Sequence, residues 1–274
     1  RLLYTCIVRR LSTILFICLI SLFSSAILPP PNNAVSLSLG GASSCYRNAF
    51  AIENNVAVLA FSDNQIALNG SNQFGLGEYS SLSLAGNAHT KLATIGLSYQ
   101  ISPLGNLTTQ KAQIGIAKKL GDNFSAGVCL NYHTLHSADA YYQSATYITV
   151  SAGIYYKIND KLNSGFQFTN PNRSRLTSSP EERSISLYRL GFEYSVTSDL
   201  ALYTDFLQAT DEPLDLNAGI ELKKEKYAIR GGFGLNQLVA LGFGWQTNAL
   251  HIDVAGSFHN QLGFSPSLNA SYAF

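Results

Sequence analysis

From about residue 79 to residue 274, apolar and polar positions alternate with a period of two, broken at intervals by short polar stretches. In "RSISLYRLGFEYSV", Tyr188, Leu190, Phe192, Tyr194 and Val196 share one side of an extended strand, and Arg189, Gly191, Glu193 and Ser195 share the other. "LDLNAGIELK" sets Leu214, Leu216, Ala218, Ile220 and Leu222 against Asp215, Asn217, Gly219 and Glu221. "LHIDVAGSFH" sets Leu250, Ile252, Val254 and Phe258 against His251, Asp253, Ala255, Ser257 and His259. Each segment therefore predicts a strand with one apolar and one polar face.

Thirteen such segments are predicted, near 79–88, 91–101, 111–120, 123–136, 144–158, 161–169, 184–196, 199–209, 214–223, 227–236, 238–247, 249–259 and 263–274. Tight turns at Gly121-Asp122, Asn159-Asp160, Ser198-Asp199, Lys223–Lys226 and Thr247-Asn248 alternate with longer polar loops near 102–110, 137–143, 170–183 and 210–213. Short periplasmic turns alternating with longer outside loops are the pattern of a transmembrane barrel. Parity then requires one more upward strand before residue 79, and "IALNGSNQFGLG" at 66–77 is the only stretch available. The predicted fold is all-β, a transmembrane antiparallel β-barrel of about 14 strands over residues 66–274. A soluble sandwich or lipocalin-like barrel also alternates, but so many long strands exceed what a closed soluble barrel holds. Arg189, Glu193, Asp205, Asp215, Glu221, Arg230, His251 and Asp253 fall on the polar faces and are expected to line a wet lumen.

Composition agrees: only 13% of residues are charged against 46% hydrophobic. Arg1, Arg9 and Arg10, the apolar "LSTILFICLISLF" and the small-residue "SSA" make residues 1–26 a predicted signal peptide. Setting that segment aside leaves 15 basic residues against 17 acidic, which gives no argument for nucleic acid as a partner. Residues 27–65 do not alternate; they run from a Pro-rich linker through Gly40-Gly41 into two short apolar stretches, unlike a lipid-facing strand. At the other end, Leu268, Tyr272 and Phe274 form an outward apolar row that closes the strand pattern. Cys45 and Cys129 are open to two readings, one disulfide or two small buried residues, with the second favoured.

Little here suggests catalysis. His133 and His136 are three apart on a strand and point to opposite faces, so they cannot share a metal. His251 with Asp253, and Arg189 with Glu193, do share a face, but inward charges in barrels pair across strands, and no Ser lies in a nucleophile-elbow context. "LGGASS" and "RGGFGL" lack the helix and Lys-Ser/Thr of a phosphate loop, so strand glycines are read as relieving crowding, and Gly191→Ser is expected to be mild. No enzymatic activity, cofactor or metal is expected.

"GGASSCYRNAFAIENNVAVLAFSDNQIAL" resembles the N-terminal segment of FadL/PorV-like outer-membrane proteins, in which a Gly-rich stretch leads through an Asp/Asn loop to an Asn-Pro-Ala-Gly-Leu or Asn-Gln-Ala-Gly-Leu motif. Asn64, Gln65, Ala67 and Leu68 match, with Ile66 interposed and no Gly before the Leu. "YKINDKLNSGFQFTNPNRSRL", "LYRLGFEYSVTSDLALYTDF" and "LGFSPSLNASYAF" extend the similarity to the PorV/PorQ-type proteins of Bacteroidota over most of residues 37–274. The resemblance implies a location in the bacterial outer membrane and a plug folded into the lumen at about residues 27–65, with Gly40, Gly41, Asn64, Gln65, Ala67 and Leu68 as its motif. It also implies that Leu268, Tyr272 and Phe274 are an assembly signal read by the barrel assembly machinery. Two functions follow from it: an accessory of a protein assembly such as type IX secretion, partnered by its subunits, or a FadL-like channel for a hydrophobic small-molecule ligand. The missing Pro of the FadL motif tilts the expectation toward the accessory role.

Overall fold

The computed structural model describes residues 33–138, 144–174, 184–210, 212–235 and 237–274. The predicted signal peptide and the start of the Pro-rich linker lie outside them. Fourteen antiparallel strands close into one barrel in which every strand pairs with its sequence neighbours. They are β1 (Gln65–Asn72), β2 (Ser80–His89), β3 (Thr94–Leu104), β4 (Leu107–Lys119), β5 (Phe124–Ser137), β6 (Ala145–Lys157), β7 (Leu162–Thr169), β8 (Leu187–Ser195), β9 (Leu200–Ala209), β10 (Asp215–Lys224), β11 (Tyr227–Gly234), β12 (Gln237–Gln246), β13 (Leu250–His259) and β14 (Gly263–Ala273). The strand required by parity is β1, and it seals the barrel against β14 from Gln65↔Ala273 to Ser71↔Ser267. Closure leaves no unpaired edge, so the backbone is satisfied without water, as a lipid environment demands.

One expected loop is not a loop. Residues 102–110 form a hairpin in which Leu104 pairs with Leu107 across Gly105-Asn106. Gly105 has φ +64°, which a glycine adopts without a Cβ penalty, so the two strands extend to the tip.

The pleat sorts the side chains as the alternation predicts. Leu190, Val254, Leu241 and Ile116 are exposed on the outside, whereas Glu193, Asp205, Asp215, Glu221, Arg230 and Asp253 are buried inside. Two aromatic belts bracket the apolar band: Tyr156, Tyr194, Tyr227, Trp245 and Tyr272 toward the tight-turn end, and Tyr132, Tyr188, Phe206, Phe258 and Phe264 toward the other. Leu268, Tyr272 and Phe274 all face outward. Val254→Arg, at mid-strand on this face, is expected to lower stability by about 2–4 kcal/mol in a bilayer. Equilibrium unfolding in vesicles checks this; a negligible loss would mean that inside and outside are exchanged.

The apolar core is not in the wall but in the segment that precedes β1. Residues 33–62 fold inside the lumen as helix α1 (Ala34–Ser38), helix α2 (Ala51–Asn54) and a 3-10 turn (Val56–Phe61). Ile52, Val56, Val58 and Leu59 are fully buried and cluster with Ala117, Cys129 and Tyr155 of the wall. Asn33 caps α1 by accepting from Ser36 N at 2.9 Å, and Asn55 caps the 3-10 turn by accepting from Ala57 N at 3.2 Å.

Candidate functional site: a plugged lumen

The plug seats against a ring of glycines. Gly96 faces Gly115, Gly127 faces Gly153, Gly165 faces Gly191 and Gly219 faces Gly232 across neighbouring strands, and Gly242 follows on β12. A Cβ on any of these nine would press on plug atoms: on Leu59 or Val56 at Gly96 and Gly115, on Asn55 or Ser44 at Gly153, Gly165 and Gly191, and on Leu39, Gly40 or Ser38 at Gly219, Gly232 and Gly242. The missing side chains are what let a folded segment fit inside a barrel of this size. Gly191 is therefore no tolerant position, because a Cβ there meets Ser44 and Asp205, and the expected mildness of Gly191→Ser is corrected. On the plug side, Gly40 (φ +66°) and Gly41 (φ +94°) turn the chain after α1, with Gly41 N donating to Ser36 O at 2.8 Å. Gly40 lies directly against the backbone of Phe233.

The wall charges bind this plug. Asp205 accepts from Ser43 N and Ser44 N at 3.0 Å each and from Ser44 Oγ at 2.6 Å, and pairs with Arg189 at 3.5 Å. Its role resembles that of a carboxylate filling a nest of backbone donors. Glu193 takes both its oxygens to Arg47 Nη2 at 2.8 Å and accepts from Asn163 at 2.9 Å. Arg230 spans Glu221 (2.6 Å) and Asp253 (2.7 Å) and donates to the Tyr46 hydroxyl at 3.1 Å, which itself donates to Glu221 at 3.1 Å. Asn269 completes Asp253 at 3.1 Å. Lys111 reaches Glu53 of α2 at 3.4 Å, and Gln167 holds both Val56 N and Glu53 O.

Of the predicted lumen residues, the structure brings Glu221, Arg230 and Asp253 into one cluster and Arg189 with Asp205 into another; Glu193 and Asp215 are buried elsewhere on the wall, and His251 is half-buried on β13. Arg189 and Glu193, which share a face, do not pair with each other. Among the expected plug motif, only Gly40 and Gly41 lie in the plug. Asn64 accepts from His89 N at 2.7 Å just before the closing strand, and Gln65 and Ala67, which point inward, and Leu68, which points outward, belong to that strand, β1. The apolar-polar alternation begins at Gln65, and this places them in the wall. Tyr46, Arg47, Ser43, Ser44 and Glu53, all plug residues, were not foreseen; only their partners' positions on the polar faces hinted at them. Cys45 and Cys129 are free and buried, and burial, with the Asp205 and Glu193 carboxylates nearby, pushes the Cys45 thiol well up. His133 lines the lumen stacked on Tyr147 at 4.6 Å, while His136 bonds Ser144 at 3.0 Å.

The plug fills the tight-turn half, where Phe61 lies under Lys119 and Lys157. Above it, toward the longer loops, remains a cavity of about 800 Å³. Its floor is Ser36, Leu37, Gly40, Gly41, Glu53 and Asn54. Its wall breaks the inside-polar rule: Leu104, Leu135, Leu187 and Leu207 point inward and, with Leu37 and Phe74, give it an apolar lining between Gln113, Asn131, Arg189 and Asp215.

No family model and no curated protein matches the chain. Solved structures do. The barrel has the fold of the FadL-like channels. The CymD monoaromatic hydrocarbon channel superposes with a TM-score of 0.68 over 88% of this chain and 97% of its own, at 12% identity. The Pseudomonas putida toluene transporter TodX gives 0.65 over 90% and 98% at 13% identity. A Pseudomonas aeruginosa FadL homologue gives 0.62 over 92% and 100% at 15% identity. A closed barrel with an apolar outer band and this fold is a bacterial outer-membrane protein, and the neighbours are channels, not enzymes.

Proposed function

We propose that this chain is an outer-membrane channel for small hydrophobic molecules, closed in the described state by its N-terminal plug. The observation that carries the reading is the apolar lining of the cavity above the plug. A general aqueous pore has a polar inner face, whereas here four leucines of the wall stand where the pleat alone calls for polar residues, joined by Leu37 of the plug and Phe74 of the segment after β1. A volume of about 800 Å³ lies within the range of drug-sized ligand sites, which combine an apolar lining with a few placed polar groups. The fold shared with channels named for toluene and monoaromatic hydrocarbons supports the same class of cargo. The accessory role in secretion, favoured on sequence resemblance, draws no support from these neighbours, and the channel reading takes its place.

The test is what the purified barrel carries. Organic extraction followed by mass spectrometry is expected to release small apolar molecules from the wild type and less from Leu207→Asn, which places an amide in the cavity wall. Stoichiometric co-purification of protein subunits with an empty cavity would favour the accessory role instead.

A further inference from the structure

We propose that the tight-turn rim of the barrel is a docking surface for the phosphate headgroups of anionic phospholipids. Of the nine lysines in the chain, eight lie at this end: Lys91, Lys118, Lys119, Lys157, Lys161, Lys223, Lys224 and Lys226. Five carboxylates, Asp63, Asp122, Asp160, Asp199 and Glu225, share the rim but all lie outside the strands, whereas the charged residues on the outward strand ends here are Lys118 and Lys224.

The rim cations differ from those inside. Arg47, Lys111, Arg189 and Arg230 are each paired with a carboxylate in the lumen, whereas among the described residues none of the eight rim lysines has one within ion-pair distance. Those on the outer face are free to meet an external anion.

Their depth matches a headgroup layer. On the outer face of β4, exposed Ile114 and Ile116 give way to Lys118, and on β10 Ile220 and Leu222 give way to Lys224. Lys224 pairs with Tyr227, one of the lower aromatic belt that marks the membrane interface. Lys91, Lys161 and Lys226 extend the same level in the connecting turns and are exposed. A row of hydrocarbon-facing side chains that ends in an aromatic and then an unpaired ammonium fits acyl chain, interface and phosphate in that order. Lys119, Lys157 and Lys223 point toward the lumen mouth and are not assigned to lipid.

The experiment uses the full-length barrel reconstituted in phosphatidylcholine vesicles, with trace spin-labelled phosphatidylglycerol or phosphatidylcholine reporting the lipid shell. The wild type is expected to prefer phosphatidylglycerol about twofold or more, averaged over the shell. That preference should vanish at 1 M salt, where screening shortens to about 3 Å. It should also vanish when Lys91, Lys118, Lys161, Lys224 and Lys226 are all replaced by Gln, with heat-modifiable mobility showing that the barrel is folded. Should that variant not fold, Lys118→Gln with Lys224→Gln alone is expected to reduce the preference. Equal association of the two lipids with the wild type, or an undiminished preference in a folded variant, overturns the proposal. So does loss of the preference in 10 mM inorganic phosphate, on the order of far less screening than 1 M salt, which would make the rim a site for free phosphate.

Discussion

Gly232→Leu is expected to unseat the plug while leaving the barrel closed. Any Cβ at this position overlaps the backbone of Leu39 and Gly40, and backbone cannot step aside as a flexible side chain can. Overpacking of this kind costs about 1–3 kcal/mol, and with rigid backbone on the receiving side the upper end applies. At roughly 1.4 kcal/mol per decade, the plug's release would rise on the order of 100-fold. Limited proteolysis of residues 33–62 in the detergent-solubilised protein reads this out, with retained heat-modifiability reporting the wall. Gly231→Ala is the control, since its Cβ points outward and meets only Leu241 and Ile220 side chains at 3.6 and 3.7 Å. Equal protease resistance in Gly232→Leu and the wild type would show that the glycine ring does not seat the plug.

Arg230→Met is expected to be the most damaging change to a charged residue. Arg230, Glu221 and Asp253 are each only 5–7% exposed. Truncating the cation strands two buried carboxylates and removes a donor to the Tyr46 hydroxyl of the plug. Breaking a buried pair from one side costs about 3–5 kcal/mol, mostly through the charge left behind. Adding Glu221→Gln and Asp253→Asn to Arg230→Met should therefore recover a large part of the loss, though not the Tyr46 contact. Thermal unfolding of the single and triple variants separates the cases; no recovery in the triple variant would mean that packing, not stranded charge, sets the cost.

The barrel was legible because lipid enforces a strict rule on it. Strands such as β8, β10 and β13 carry apolar residues at every second position, and their bounds fall within a few residues of the alternation. β1 was found by parity, since Gly70, Ser71 and Asn72 blur its pattern while its pairing with β14 compensates. The polar partners of the plug were legible as inward charges, but what they hold was not. Glu193 looks the same in sequence whether it pairs with Arg189 on its own strand or with Arg47 from the plug. Only the fold of residues 33–62 decides between them.

The glycine ring shows why the rest was hidden. Gly153 and Gly165 each look like a local relief of crowding, and their common purpose appears only when neighbouring strands are set in register. The apolar cavity lining was missed for a related reason. Leu104, Leu135, Leu187 and Leu207 sit toward the loop ends of their strands, above the plug, and single departures from alternation read as strand ends.

A channel of the proposed kind passes small apolar molecules through its lumen. Its most direct test is the initial uptake of radiolabelled toluene by cells producing the protein, against cells without it, with a labelled trisaccharide as the hydrophilic comparison. Several-fold faster entry of toluene with no change for the sugar is expected. Unchanged toluene entry, or equal acceleration of both, would contradict it.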